Sequence, residues 1–173
     1  MPYRTRTYIA GDWTGDADAI QQLYKWNDSN HLNLSFTDAH ELTQARDNSL
    51  YCSVKRSLKE RLDCSKTFVL IVGANTLQLT KGSCSYCASY NSYGHYCARG
   101  YSKDFKSYIE YECEQAVNAG MKIVVLYNYS AVKREKCPEV LRYKGSHINM
   151  YYYANDGKCY WNYLEIKKTI VGY

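Results

Sequence analysis

Two stretches of the chain, residues 67–72 (TFVLIV) and 121–127 (MKIVVLY), run through apolar side chains almost without interruption. Such runs lack the in–out alternation of a half-buried strand and predict strands covered on both faces, as in a parallel sheet. Around them the period changes to that of helices. Leu50, Val54, Leu58 and Leu62 recur at every fourth position behind Ser49, a candidate cap. Ala19, Ile20, Leu23 and Tyr24 recur at helical spacing behind Asp16, a second candidate cap. Residues 6–10 predict a short opening strand, and residues 33–37 alternate as a second one before a polar loop over 38–48. Residues 147–153 offer a further strand and residues 161–171 a closing helix. Helices alternating with buried strands give an α/β fold, doubly wound and flavodoxin-like, around a mainly parallel central sheet. With no internal repeat and no linker, residues 1–173 read as one domain carrying a Cys- and Tyr-rich insertion over about 80–103.

The segment before the second apolar run contains the most informative position. Read as a helix, it builds an apolar face from Phe105, Ile109, Cys113, Ala116 and Val117, and sends Glu110 and Glu114 to the far side. Glu112 falls on the apolar side, between Tyr108 and Ala116. A carboxylate is costly to desolvate, so an inward one has either a structural cation partner or a chemical task.

In an open parallel sheet ligands bind beyond the carboxyl ends of the strands. The segments placed there are residues 11–16, 38–48 and 73–80 and the start of the Glu112 helix. Asp12 and Trp13 can contact a ligand and stack on a ring, or serve as a turn aspartate and a surface-anchoring tryptophan. Asp38 can bind substrate or turn its loop. Asn75 can bind substrate by reaching a phosphate, with Thr76 beside it, or the pair can simply end the third strand. Tyr108 can line a pocket or pack beside its helix. No Gly-rich phosphate loop or Walker pattern is present, which argues against a standard nucleotide hydrolase and a flavin-binding flavodoxin. No residue sits in a nucleophile-elbow context, which argues against a hydrolytic triad.

Composition adds three points. A net charge of +5, with no long basic run, argues against a nucleic-acid partner and is compatible with an anionic small molecule. No stretch is apolar for long enough to span a membrane and no leader pattern opens the chain, so a cytoplasmic location with reduced thiols is expected. The 20 tyrosines suit half-buried positions, pockets and protein contacts. Of the eight cysteines, Cys52, Cys64, Cys113, Cys137 and Cys159 are dispersed and read as small core residues. Cys84 and Cys87 have zinc-knuckle spacing, which His95 or Cys97 would complete. Because only one CxxC is present, plain thiols in a surface excursion are the preferred reading, with structural zinc second and no cofactor expected.

The order of these pieces resembles a TIR domain, of the TIR-like group found in bacterial Thoeris anti-phage defence. Four motifs carry the resemblance: Ala10-Gly-Asp-Trp13 after the opening strand, Leu34-Ser-Phe-Thr-Asp-Ala39, Lys66-Thr-Phe-Val-Leu-Ile-Val-Gly-Ala-Asn-Thr76, and Ser107-Tyr-Ile-Glu-Tyr-Glu-Cys113 leading into the second apolar run. The chain departs from the family in having Tyr108 where a tryptophan is usual, and in its insertion. The resemblance implies that Glu112 is a catalytic glutamate and that NAD is a substrate, cleaved at the nicotinamide–ribose bond. It further implies self-association and a separate effector that senses the product. The alternative is a non-catalytic TIR-like module that assembles with partners through its loops and tyrosine-rich surface.

Overall fold

The computed structural model describes residues 6–32, 34, 36–37 and 50–172. In chain order the elements are β1 (Arg6–Ala10), α1 (Ala17–Asp28), α2 (Tyr51–Asp63), β2 (Ser65–Val72), the short strands β3 (Tyr90–Asn91) and β4 (Tyr96–Cys97), α3 (Tyr108–Asn118), β5 (Lys122–Tyr127), β6 (Ser146–Asn149), β7 (Tyr151–Tyr153), β8 (Cys159–Trp161) and α4 (Tyr163–Val171). The central sheet is parallel throughout, in the order β1-β2-β5-β6. The pairs β3–β4 and β7–β8 are separate antiparallel ribbons. This is the doubly wound α/β architecture that the apolar runs predict.

The parity of the strands sorts the core into two layers. Tyr8, Phe68 and Ile123 lie side by side across β1, β2 and β5, as do Ala10, Leu70 and Val125. They pack with Val54, Leu58 and Leu62 of α2 and Ile109, Cys113 and Ala116 of α3. The intervening residues Ile9, Val69 and Val124 face the other way, against Ala19, Ile20 and Leu23 of α1 and Ile166 and Ile170 of α4. Every side chain of β2 from Thr67 to Val72 is buried, which is why this strand reads as an unbroken apolar run. Each fully buried Leu, Ile, Val or Phe is worth roughly 1.5–3 kcal/mol relative to leaving it in water.

The helix that carries Glu112 is locally well specified. Ser107 and Glu110 form a capping box: Glu110 N–H donates to Ser107 Oγ at 3.2 Å and Ser107 N–H donates to Glu110 Oε2 at 2.7 Å. These bonds satisfy two of the helix's orphan donors. Gly120, at φ 62°, turns the chain out of α3 and into β5.

Several expectations need correction. Residues 147–153 do not form one strand: β6 belongs to the central sheet, buried Met150 turns the chain, and β7 pairs with β8. Trp161 therefore ends β8, and the closing helix starts two residues later. Phe105 precedes α3 and is 51% exposed, so it is no part of the helix's apolar face. Of the dispersed cysteines only Cys113 and Cys137 are buried, while Cys52 and Cys64 are half-buried and Cys159 is exposed. In the expected strand over 33–37 the described residues 34, 36 and 37 carry no strand, although Thr7 N–H donates to Thr37 O at 2.8 Å and so fixes that segment beside β1. Ser49 and Asp38 lie outside the described residues. Among the described residues no helix is long and apolar enough to cross a membrane.

Asp16 occupies the N-cap position of α1 without making a side-chain cap bond. Its Oδ1 accepts from Asn128 Nδ2 at 2.9 Å, and its Oδ2 has no hydrogen-bond partner. A side chain at Gly73 would be impossible here, since a Cβ would lie 1.9 Å from Asp16 Oδ1. Burial raises the Asp16 carboxyl above its ordinary value; the Asn128 bond opposes this and the charges of Asp12 and Asp18 add to it. A raised carboxyl favours the fold while protonated. As pH climbs past the ordinary value of 3.8 the unfolded chain ionises first, and the fold loses that advantage. Asp16→Asn retains the acceptor for Asn128 and carries no charge. It is expected to be more stable than the parent at neutral pH, with the gap closing in acid, as measured by urea unfolding across that range.

Candidate functional site

Glu112 lies one turn into α3, on the side packed against the sheet, and is 6% exposed. Tyr8, fully buried in β1, donates its hydroxyl to Glu112 Oε1. The Tyr8 ring is stacked on Phe68 of β2, with centroids 5.7 Å apart, so the strand register places that hydroxyl beneath the helix. The contact meets part of the desolvation cost of the carboxylate by a charge-assisted hydrogen bond.

Above this pair opens a cavity of about 350 Å³ at the carboxyl ends of β1 and β2. The loop after β1 contributes Asp12 and Trp13, α2 contributes Arg61, the chain after β2 contributes Lys81, and α3 contributes Tyr108 and Glu112. Val54, Leu58, Leu79 and Ile109 supply apolar wall. Four of the candidate residues named from sequence, Asp12, Trp13, Tyr108 and Glu112, thus share one cavity. Asn75 does not line it; its amide lies beside the loop after β1, where a Cβ on Gly15 would come within 3.3 Å of Nδ2. Thr76 is buried and accepts from Gly73 N–H through Oγ1 at 2.8 Å, an internal strand terminator.

Local interactions set the posture of each group. Asp12 Oδ1 accepts from Thr14 N–H at 3.1 Å, so the aspartate also holds its own turn. Trp13 is 47% exposed and leans on Tyr24, with ring centroids 6.3 Å apart. That leaves much of the indole to the solvent side. Tyr108 meets Tyr51 edge-on at 5.7 Å. Burial pushes the Tyr108 phenol well above its ordinary value, so it stays protonated through the neutral range.

Sequence reasoning missed Arg61 and Lys81. Arg61 stands on the same face of α2 as Leu58 and Leu62, one residue from the apolar stripe, and is 5% exposed. That position was a legible signal, of the same kind as the one that singled out Glu112.

A larger cavity, of about 530 Å³, lies on the far side of α3 beside Glu110, Glu114 and residues 138–142. Two of its three carboxylates are already committed, Glu110 to the Ser107 cap and Glu114 to Lys106 at 2.9 Å, and the third, Glu139, is exposed. Size alone therefore does not favour it over the cavity built on Glu112.

The cysteine insertion separates the zinc candidates. Cys84, Cys87 and Cys97 surround a pocket of about 20 Å³ together with Cys52 of α2. His95 stands apart from them at φ 54°, its Nδ1 3.4 Å from the Tyr90 hydroxyl. Backbone N–H groups of Arg99 and Tyr101 draw the Cys97 thiol below its ordinary value. Among the described residues no group of three or more His, Cys, Asp or Glu is arranged to hold a metal ion.

If the Tyr8–Glu112 contact carries the load assigned to it, Tyr8→Phe should cost about 1–3 kcal/mol, the usual penalty for depriving a buried charged acceptor of a donor. Denaturant unfolding would read this, and an unchanged midpoint would show that the carboxylate is satisfied without Tyr8.

Residues 8–81 match the family model of the Thoeris protein ThsB, TIR-like domain. No curated protein matches the chain. The match takes in β1 to β2 and the turn after β2, less than half of the chain, and agrees with the doubly wound sheet. It covers Asp12, Trp13, Arg61 and Lys81 of the cavity and Tyr8 beneath it; Tyr108 and Glu112 lie beyond it.

Proposed function

We propose that this TIR-like domain cleaves the nicotinamide–ribose bond of NAD, with Glu112 as the catalytic carboxylate. The observation that supports this most is a nearly buried glutamate at the base of a cavity that also presents an aromatic ring, Trp13, at its rim. In the reaction the C1′–N1 bond breaks and its electron pair passes to the pyridinium nitrogen, so nicotinamide leaves as a neutral molecule without a proton donor. The ribose C1′ becomes oxocarbenium-like, and a carboxylate on that side stabilises the developing positive charge in a site largely shielded from water. One carboxylate suffices, unlike ordinary glycoside hydrolysis, where a second must protonate the leaving group.

The acceptor sets the product. Water attacks C1′ and loses a proton to give ADP-ribose; an atom of the same molecule gives a cyclic isomer; another small molecule gives a conjugate. We favour a cyclic or conjugated nucleotide that signals to a separate effector. Closure of this cavity by a second copy of the chain would agree with the self-association that the family resemblance implies.

Purified protein incubated with NAD under crowding, with nicotinamide and ADP-ribose-containing products followed by mass spectrometry, tests the reading. Glu112→Gln keeps the acceptor for Tyr8 and is expected to lower nicotinamide release about a hundredfold or more. Equal release by both proteins would remove Glu112 from the reaction. No release by either, in the presence of phage-infected extract as well, would favour the assembly module, for which the exposed Tyr86, Tyr93, Tyr96 and Tyr101 of the insertion provide a surface.

A further inference from the structure

Two cations line the Glu112 cavity, and they differ in kind. Arg61 is buried and engaged within the fold. Lys81 is exposed, and among the described residues no ion pair takes its ammonium, whereas Lys55 is held by Asp104 and Lys106 by Glu114. The backbone of Lys81 is nevertheless fixed. Its carbonyl accepts from Tyr108 N–H at 2.9 Å. The next residue, Gly82, adopts φ +105° and presses so closely on Tyr108 that a Cβ would lie 2.5 Å from the ring and 2.7 Å from the backbone nitrogen. Only glycine tolerates both demands. A flexible, charged stem is thereby launched from a rigid point one helical turn from Glu112.

The volume of the cavity assigns that charge a place along the substrate. About 350 Å³ is at the small end for ligand pockets, enough for one half of a dinucleotide between apolar walls. With the nicotinamide riboside half inside, at the carboxylate, the phosphates emerge at the mouth. We propose that Lys81 forms an anion subsite there, taking the pyrophosphate bridge of the dinucleotide and selecting it over the nucleoside, which carries no phosphate. An ammonium on a mobile stem suits this task as a point charge. The subsite rests on the reading of this cavity as the dinucleotide site.

Binding measured without turnover keeps the two ideas apart. In the Glu112→Gln background, calorimetry would compare ADP-ribose with nicotinamide riboside, for Lys81 and for Lys81→Met. The expected result is a loss of ADP-ribose affinity of roughly five- to tenfold, between the worth of an exposed ion pair and that of a hydrogen bond to a charged group. That loss should shrink as salt is raised. Nicotinamide riboside, a cation without phosphate, should lose no affinity with Lys81→Met, and Lys81→Arg should restore most of the ADP-ribose affinity. ADP-ribose binding that ignores Lys81→Met, or that is absent altogether, would overturn the subsite. So would an equal loss for both ligands, which would mean that Lys81 only shapes the cavity. Lys81-dependent ADP-ribose binding, where the parent protein carrying Glu112 releases no nicotinamide, would instead retain the subsite and remove the cleavage reaction.

Discussion

A carboxylate has been placed in the seam between a helix and a sheet, and the hydrogen bond from Tyr8 helps to make that tenable. Glu112 shares its helix face with Ile109, Cys113 and Ala116, all of which pack on β2 and β5. Taking an ionised group out of water at such a place costs several kcal/mol unless donors replace the lost hydration. The Tyr8 hydroxyl can do so only if β1 is in register with β2, with Tyr8 opposite Phe68. The register of the sheet, the depth of α3 and the position of the carboxylate are therefore one constraint.

That constraint also explains why the cavity lies where it does. α3 starts from a capping box at the carboxyl end of the sheet, and Tyr108 and Glu112 fall on successive turns below it. The loop after β1 brings Asp12 and Trp13 to the same end because β1 is parallel to β2. The doubly wound sheet puts strand ends, loop residues and the first turns of α3 at one rim, which is the general reason for ligand sites in this architecture. Residues far apart in the chain converge on one cavity without any local motif that announces it.

Much of this was legible in the sequence, for identifiable reasons. The runs at 67–72 and 121–127 could hardly be anything but covered strands, and the four-residue steps of α2 admit one face. Glu112 stood out because it broke the pattern of its own helix. What was missed depends on long-range geometry. Residues 147–153 look like one strand because Tyr and Ile suit strands wherever they occur; their division at Met150 is set by pairing with β8. Phe105 has the right spacing for the apolar face of α3, but the cap at Ser107 starts the helix after it. His95 is close in sequence to Cys97, yet the fold brings Cys52 of α2 to the other three cysteines instead. Lys81 carries no signal at all in sequence, since its position depends on the contact of Gly82 with Tyr108.

The insertion raises the last question of design: how a site tolerates some twenty residues spliced in directly before its key helix. Between Gly82 and Lys106 no apolar side chain is buried, so the segment adds nothing to the core and cannot be held by it. It is closed at its neck instead. Cys84 N–H donates to Asp104 O at 2.9 Å and Asp104 N–H returns to Cys84 Sγ at 3.3 Å. Lys55 of α2, almost fully buried, pins the same point by reaching Asp104 Oδ2 at 2.9 Å and Lys106 O at 2.7 Å. A loop closed at its base transmits little of its length to what lies beyond, because extending it costs entropy only slowly. The Tyr108 N–H to Lys81 O bond then joins the strand side directly to the helix side. Residues within the insertion are free to vary without moving Glu112, whereas the short neck is not, and it is from the neck that Lys81 enters the site.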